Sequence, residues 1–123
     1  MLSGERLLIV EAEFLIALDI QRVLEDAHAA QAVFARNYNE LAAMAERFAS
    51  FDLAIITPPR LGTADVAVAH RLAEAGPALV ICSATKIEIG GTPLERARIV
   101  SKPFSDETLL AACRAALADR TAS

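Results

Sequence analysis

Apolar positions along this chain follow two alternating rhythms. Short runs of consecutive aliphatic residues are separated by longer stretches in which apolar residues return every three or four positions. Strands covered on both faces are apolar throughout, whereas the helices that connect them bury only one stripe, so the alternation predicts an α/β domain built on a parallel sheet. The first run is Leu7-Leu8-Ile9-Val10. After it, Ile16, Ile20, Val23, Leu24 and Ala27 recur at offsets of four, seven, eight and eleven, which places them on one helical face. A weaker second strand is expected over residues 31–35, and a helix over 39–48 that turns Leu41, Met44, Ala45 and Phe48 inward.

The third strand is expected over 52–57, where Pro58-Pro59 halts it by removing two successive backbone donors. A helix over 64–75 with Val66, Ala69, Leu72 and Ala73 inward stops at Gly76-Pro77, and a fourth strand covers 78–83. Residues 86–97 are interrupted by Gly90-Gly91-Thr92-Pro93 and offer only a short helix from Pro93 through Arg98. A brief fifth strand spans 99–101. Ser105 then reads as an N-cap, with Asp106 and Glu107 in the first turn, where negative charge complements the helix dipole. The last helix has Leu109, Leu110, Cys113 and Leu117 on its core face and Thr108, Ala112 and Ala116 on a flatter outer strip. It is expected to reach about Ala118. The whole of 1–123 reads as one domain with a core from about 6 to 118 and a fraying tail over 119–123.

Composition narrows the function classes. At 123 residues the chain can bury a core without disulfides or metal. Its 12 Lys and Arg against 16 Asp and Glu are scattered, which argues against direct nucleic-acid binding, since that rests on concentrated positive charge. Cys82 lies in an apolar run and Cys113 in an amphipathic one, so both are expected to be reduced core thiols. His28 and His70 have no ligand-spaced neighbours and read as surface residues. No apolar run is long enough for a signal-peptide core or a membrane span, so a cytoplasmic protein with no membrane contact is expected.

In a doubly wound parallel sheet, functional groups gather at the carboxyl ends of the strands. The residues to weigh are therefore Glu11, Ala12 and Glu13 after the first strand, Thr57 after the third, Ser83 after the fourth and Lys102 after the fifth. Glu13 reads as a solvated first-turn residue.

Over 6–117 the sequence resembles the receiver domains of two-component response regulators, the CheY-like family. Leu8-Ile-Val-Glu11-Ala-Glu-Phe-Leu-Ile-Ala-Leu-Asp19 matches the family's opening strand and helix. Asp52-Leu-Ala-Ile-Ile-Thr57 matches its third strand, Val80-Ile-Cys-Ser83-Ala84 its fourth, and Ser101-Lys102-Pro103-Phe104 its Lys-Pro-Phe segment. The resemblance implies a doubly wound, five-stranded parallel sheet in the order 2-1-3-4-5 with helices on both faces. The fourth helix is expected to be short or irregular, because the segment before Lys102 is shortened and carries Gly90-Gly91.

The same resemblance marks departures. The position of the phosphoryl-accepting aspartate holds Thr57, and that of the second acid, which binds magnesium, holds Ala12. Glu11 then remains as the single acid of the degenerate pocket, so magnesium binding is expected to be weak or lost and no cofactor is expected. Threonine is a poor nucleophile without a base beside it. Ile99 replaces the aromatic switch residue three positions before Lys102. Lys102 is expected to neutralise Glu11 and to hydrogen-bond Thr57, giving a pocket that needs no metal. The resemblance and these departures together imply a non-enzymatic signalling module that binds a histidine kinase, a phosphotransfer protein, another receiver or a second copy of itself. Two alternatives remain open: phosphorylation at Thr57 or Glu11, and a small anion- or nucleotide-binding module in which Lys102, Ser83 and Thr57 hold the anion.

Overall fold

The structure, a computed structural model, describes residues 4–122. Four apolar residues form β1 (Leu7–Val10), and all four are buried. Chain order then gives α1 (Phe14–Asp26), β2 (Ala32–Ala35), α2 (Tyr38–Ala42), a 3-10 helix (Ala45–Ser50), β3 (Leu53–Ile56), α3 (Ala64–Glu74), β4 (Ala78–Ser83), β5 (Arg98–Ser101) and α4 (Asp106–Ala122). The five strands form one parallel sheet in the order β2-β1-β3-β4-β5, so the expected doubly wound architecture is the one observed.

Because strand side chains alternate between faces, each strand feeds two cores. Leu7, Ile9, Leu53, Ile55, Val80, Cys82 and Val100 pack against Ala17, Ile20, Val23 and Leu24 of α1 and against Leu109, Cys113 and Ala116 of α4. On the other face, Leu8, Val10, Ala54, Ile56, Leu79 and Ile81 meet Tyr38, Leu41, Phe48, Phe51, Ala69 and Leu72.

Several expected boundaries change, each for a local reason. The helix over 39–48 is split into α2 and the 3-10 helix. Phe48, within the 3-10 helix, and Phe51, the extended residue that follows it, are both buried in the same core, so the chain tightens and then straightens to bring both rings to the sheet. No helix forms at Pro93; residues 84–97 are bends and turns. Gly91 adopts a left-handed φ of +76°, and the Thr92 hydroxyl closes the turn by donating to Ile89 O at 2.7 Å and accepting from Leu94 N–H at 3.1 Å. Leu94, which is buried, covers with Ile87 and Ile89 the sheet face that this connection leaves without a helix.

At the last helix, Ser105 is the N-cap expected, accepting from Thr108 N–H at 3.1 Å. Ala116 is buried rather than on the outer strip, since Leu109, Cys113 and Ala116 form one stripe over the sheet. The fraying tail is also corrected: α4 continues through Asp119 to Ala122. Arg98 Nε donates to Asp119 at 3.0 Å and Arg120 to Asp52 at 3.2 Å, which fastens the last turns to β5 and to the entry of β3. Ser123 lies outside the described residues.

Candidate functional site

In a parallel sheet all carboxyl ends share one edge, and the backbone here carries the ladder one residue beyond the strands. Glu11 N–H donates to Ala35 O at 3.1 Å, Thr57 N–H to Val10 O at 3.1 Å and Lys102 N–H to Ser83 O at 2.9 Å. Glu11, Thr57, Ser83 and Lys102 are thereby fixed along one edge, as the sequence predicted.

Glu11 is 6% exposed, a carboxylate taken almost wholly out of water. Such a group is tolerated only when paired and hydrogen-bonded. Both oxygens are engaged: Lys102 Nζ donates to Oε1 at 2.9 Å and Glu13 N–H to Oε2 at 3.1 Å. β3 and β4 lie between β1 and β5, so this ion pair bridges across the ends of both central strands. Lys102 follows β5 and is itself followed by a cis Lys102–Pro103 peptide and by Phe104, which packs against the α1 and α4 core.

Thr57 is half-buried. The hydrogen bond expected between Lys102 and Thr57 is not present among the described residues, because the ammonium is directed to Glu11 instead. Thr57 is held through its backbone: besides the N–H to Val10, its carbonyl accepts from the phenol of Tyr38, the first residue of α2. Tyr38 was not among the site residues legible in sequence. Its position ahead of a short helix carried no chemical signal, and only the fold brings it to Thr57. Burial, with a smaller contribution from Asp65, pushes its phenol well above the usual tyrosine range.

Ser83 is buried, yet its hydroxyl serves its own turn, donating to Thr85 O at 2.6 Å and accepting from Thr85 N–H at 3.2 Å. Ala12 and Glu13 are exposed. Ile99 sits in β5 opposite Ile81 and is partly open to solvent, so no aromatic ring occupies the switch position. Beneath the site, Cys82 has its thiol pushed up to about 11, chiefly by burial, and burial likewise pushes Cys113 up to about 12. Both are free, protonated core residues. Of the two histidines, His28 is exposed, whereas His70 is half-buried on α3 rather than fully at the surface.

A magnesium ion of the kind receiver domains use does not fit this donor set. The one carboxylate already accepts from an ammonium and an amide, and of the side chains at the other two positions Ala12 supplies no donor and Thr57 a neutral hydroxyl. Every buried side-chain nitrogen and oxygen among the described residues has a hydrogen-bond partner, so none is orphaned toward a missing ion. No cluster of three or more metal-ligating side chains occurs among the described residues.

No protein-family model matches the sequence, and no curated protein matches it. Solved structures do. A response regulator receiver protein from Sinorhizobium medicae superposes with a TM-score of 0.78 at 22% identity, covering 98% of this chain and 99% of that one. A CheY-like receiver domain protein from Methanospirillum hungatei gives 0.75 at 16% identity, with 98% of each chain covered. The response regulator PhyR from Brucella abortus gives 0.76 at 21% identity; 97% of this chain is covered, but it spans only 50% of PhyR. At these identities the likeness shows the fold, and the fold is that of response-regulator receiver domains.

Proposed function

We propose that this domain is a two-component signalling module that acts through protein contact without being phosphorylated, and that it is not an enzyme. The observation that carries this reading is the buried Glu11–Lys102 pair, 2.9 Å apart, at the sheet edge where Thr57 and Ala12 stand at the acceptor and metal-ligand positions implied by the resemblance. In a receiver the acceptor's negative charge, the metal and the lysine balance one another around a phosphoryl group. Here the lysine is neutralised by Glu11 alone, which supports a pocket resting in a single charge state with neither metal nor phosphate.

The surface beside the pocket supports contact as the output. Phe14 and Leu15, which open α1, are 73% and 79% exposed, and Leu18 one turn on is also exposed. Large apolar side chains grouped on one helix mark an interaction surface more often than isolated ones do. A histidine kinase, a phosphotransfer protein, another receiver or a second copy of this chain would meet that patch, and the scattered basic residues do not favour nucleic acid. Among the described residues no helix is long and apolar enough to cross a membrane.

Intact-mass measurement after incubation with magnesium and acetyl phosphate tests this reading. The wild-type chain is expected to stay unmodified, while the double variant Ala12→Asp/Thr57→Asp gains one phosphoryl group. A stable adduct on the wild-type chain, mapped to Thr57 or Glu11, would overturn it.

A further inference from the structure

The connection from β4 to β5 leaves behind a second feature, separate from the Glu11–Lys102 pocket. Between α3 and residues 85–94 lies a cavity of about 470 Å³, larger than the other cavities described, at about 210, 340 and 400 Å³. It falls within the range of about 300–1,000 Å³ typical of small-molecule sites. It lies on the carboxyl side of β3 and β4, where doubly wound sheets bind ligands. Pro58, Leu61 and Val66 form one wall and Ile87, Ile89 and Leu94 the other. The second wall belongs to the loop whose turn is held by the left-handed Gly91 and the Thr92 hydroxyl.

Polar groups converge on this apolar space. His70, half-buried, and Thr85, exposed, line it; neither side chain has a hydrogen-bond or ion-pair partner among the described residues. Lys86 and Glu88, one charge of each sign and both exposed, also line it. A ligand held there meets one charge of each sign, and His70 offers it a hydrogen-bonding group. We infer that this cavity is a binding site for a small, uncharged, largely apolar molecule carrying one hydroxyl or similar hydrogen-bonding group, for which 2-naphthol serves as a probe. This goes beyond the proposed contact function and does not depend on it, since none of the pocket residues Glu11, Thr57, Ser83 and Lys102 lines the cavity.

Amide NMR titration of the full chain with 2-naphthol, 2-naphthoate and 2-naphthylammonium tests the inference. With 2-naphthol, saturable shifts are expected at Leu61, Val66, His70, Ile87 and Ile89, and both charged analogues should bind more weakly. His70→Phe should reduce the preference for 2-naphthol over naphthalene by about five-fold, the effect of losing one neutral hydrogen bond. Leu61→Ser, at a side chain 87% exposed, should weaken 2-naphthol binding with the unfolding midpoint unchanged, and Val66→Phe should fill the space and abolish it. The inference is overturned if no saturable shift appears, if the shifts centre elsewhere, or if Leu61→Ser binds like wild type. Tighter binding of either charged analogue also overturns it. So do shifts at these residues on raising protein concentration alone, which would mean that a second copy covers the cavity.

Discussion

At the scale of single residues, the Glu11–Lys102 pair is the most constrained feature of the molecule. A buried ion pair contributes little net stability compared with an apolar pair, yet removing one partner strands the other charge. Lys102→Met is therefore expected to destabilise the fold by about 3 kcal/mol, because it leaves the enclosed Glu11 carboxylate without its counter-charge. The double variant Glu11→Gln/Lys102→Met should recover at least half of that loss, since no charge is left unpaired and the amide oxygen can still accept from Glu13 N–H. Urea unfolding of the two single variants and the double variant measures the coupling.

Tyr38 gives a second residue-scale test. Because burial raises its folded-state pKa above the unfolded value, the phenol's contribution is complete below about pH 10 and is lost as pH rises through the folded value. Tyr38 is the only tyrosine and there is no tryptophan, so phenolate absorbance reports it alone. Phenolate should appear together with alkaline unfolding, at a pH above that of a free tyrosine. Ionisation near pH 10 with secondary structure intact would contradict the burial argument. The positions of Glu11, Thr57, Ser83 and Lys102 at the strand ends were legible in sequence, because each ends or follows a short strand. Tyr38 and the commitment of Lys102 to Glu11 alone were not, because they depend on which side chains reach one another across the sheet.

At the scale of elements, strands were readable to within a residue and helices less so. β1 and β4 fall where the apolar runs placed them, since a strand buried on both faces has a run as long as itself. The 39–48 segment misled because Leu41 and Phe48 satisfy a helical period even though the chain tightens between them. The end of α4 misled because its anchors, Arg98 with Asp119 and Arg120 with Asp52, are 21 and 68 residues apart in sequence. The end of α1 carries a prediction of its own. His28 follows the helix with φ at +76°, its N–H donating to Glu25 O at 2.9 Å, a conformation that favours glycine at this position. His28→Gly should raise stability by about 1 kcal/mol, read as a higher unfolding midpoint in urea with the denaturant slope unchanged.

At the scale of the whole molecule, the sheet order is that of a receiver domain, and we propose that the edge where a receiver does its chemistry serves contact alone. The scaffold fixes Glu11, Thr57, Ser83 and Lys102 by backbone bonds just past the strand ends. Glu11 and Lys102 satisfy one another and Ser83 closes its own turn, while Thr57 is held through its backbone. That self-sufficiency is the central claim, and it concerns chemistry more than shape. Titrating the labelled protein with magnesium and beryllofluoride, a phosphoryl analogue, tests it most directly. The account predicts no saturable amide shift at Ala12, Thr57, Ser83 or Lys102 in the wild-type chain, and saturable shifts there in Ala12→Asp/Thr57→Asp. Saturable shifts around Thr57 in the wild-type chain would contradict it.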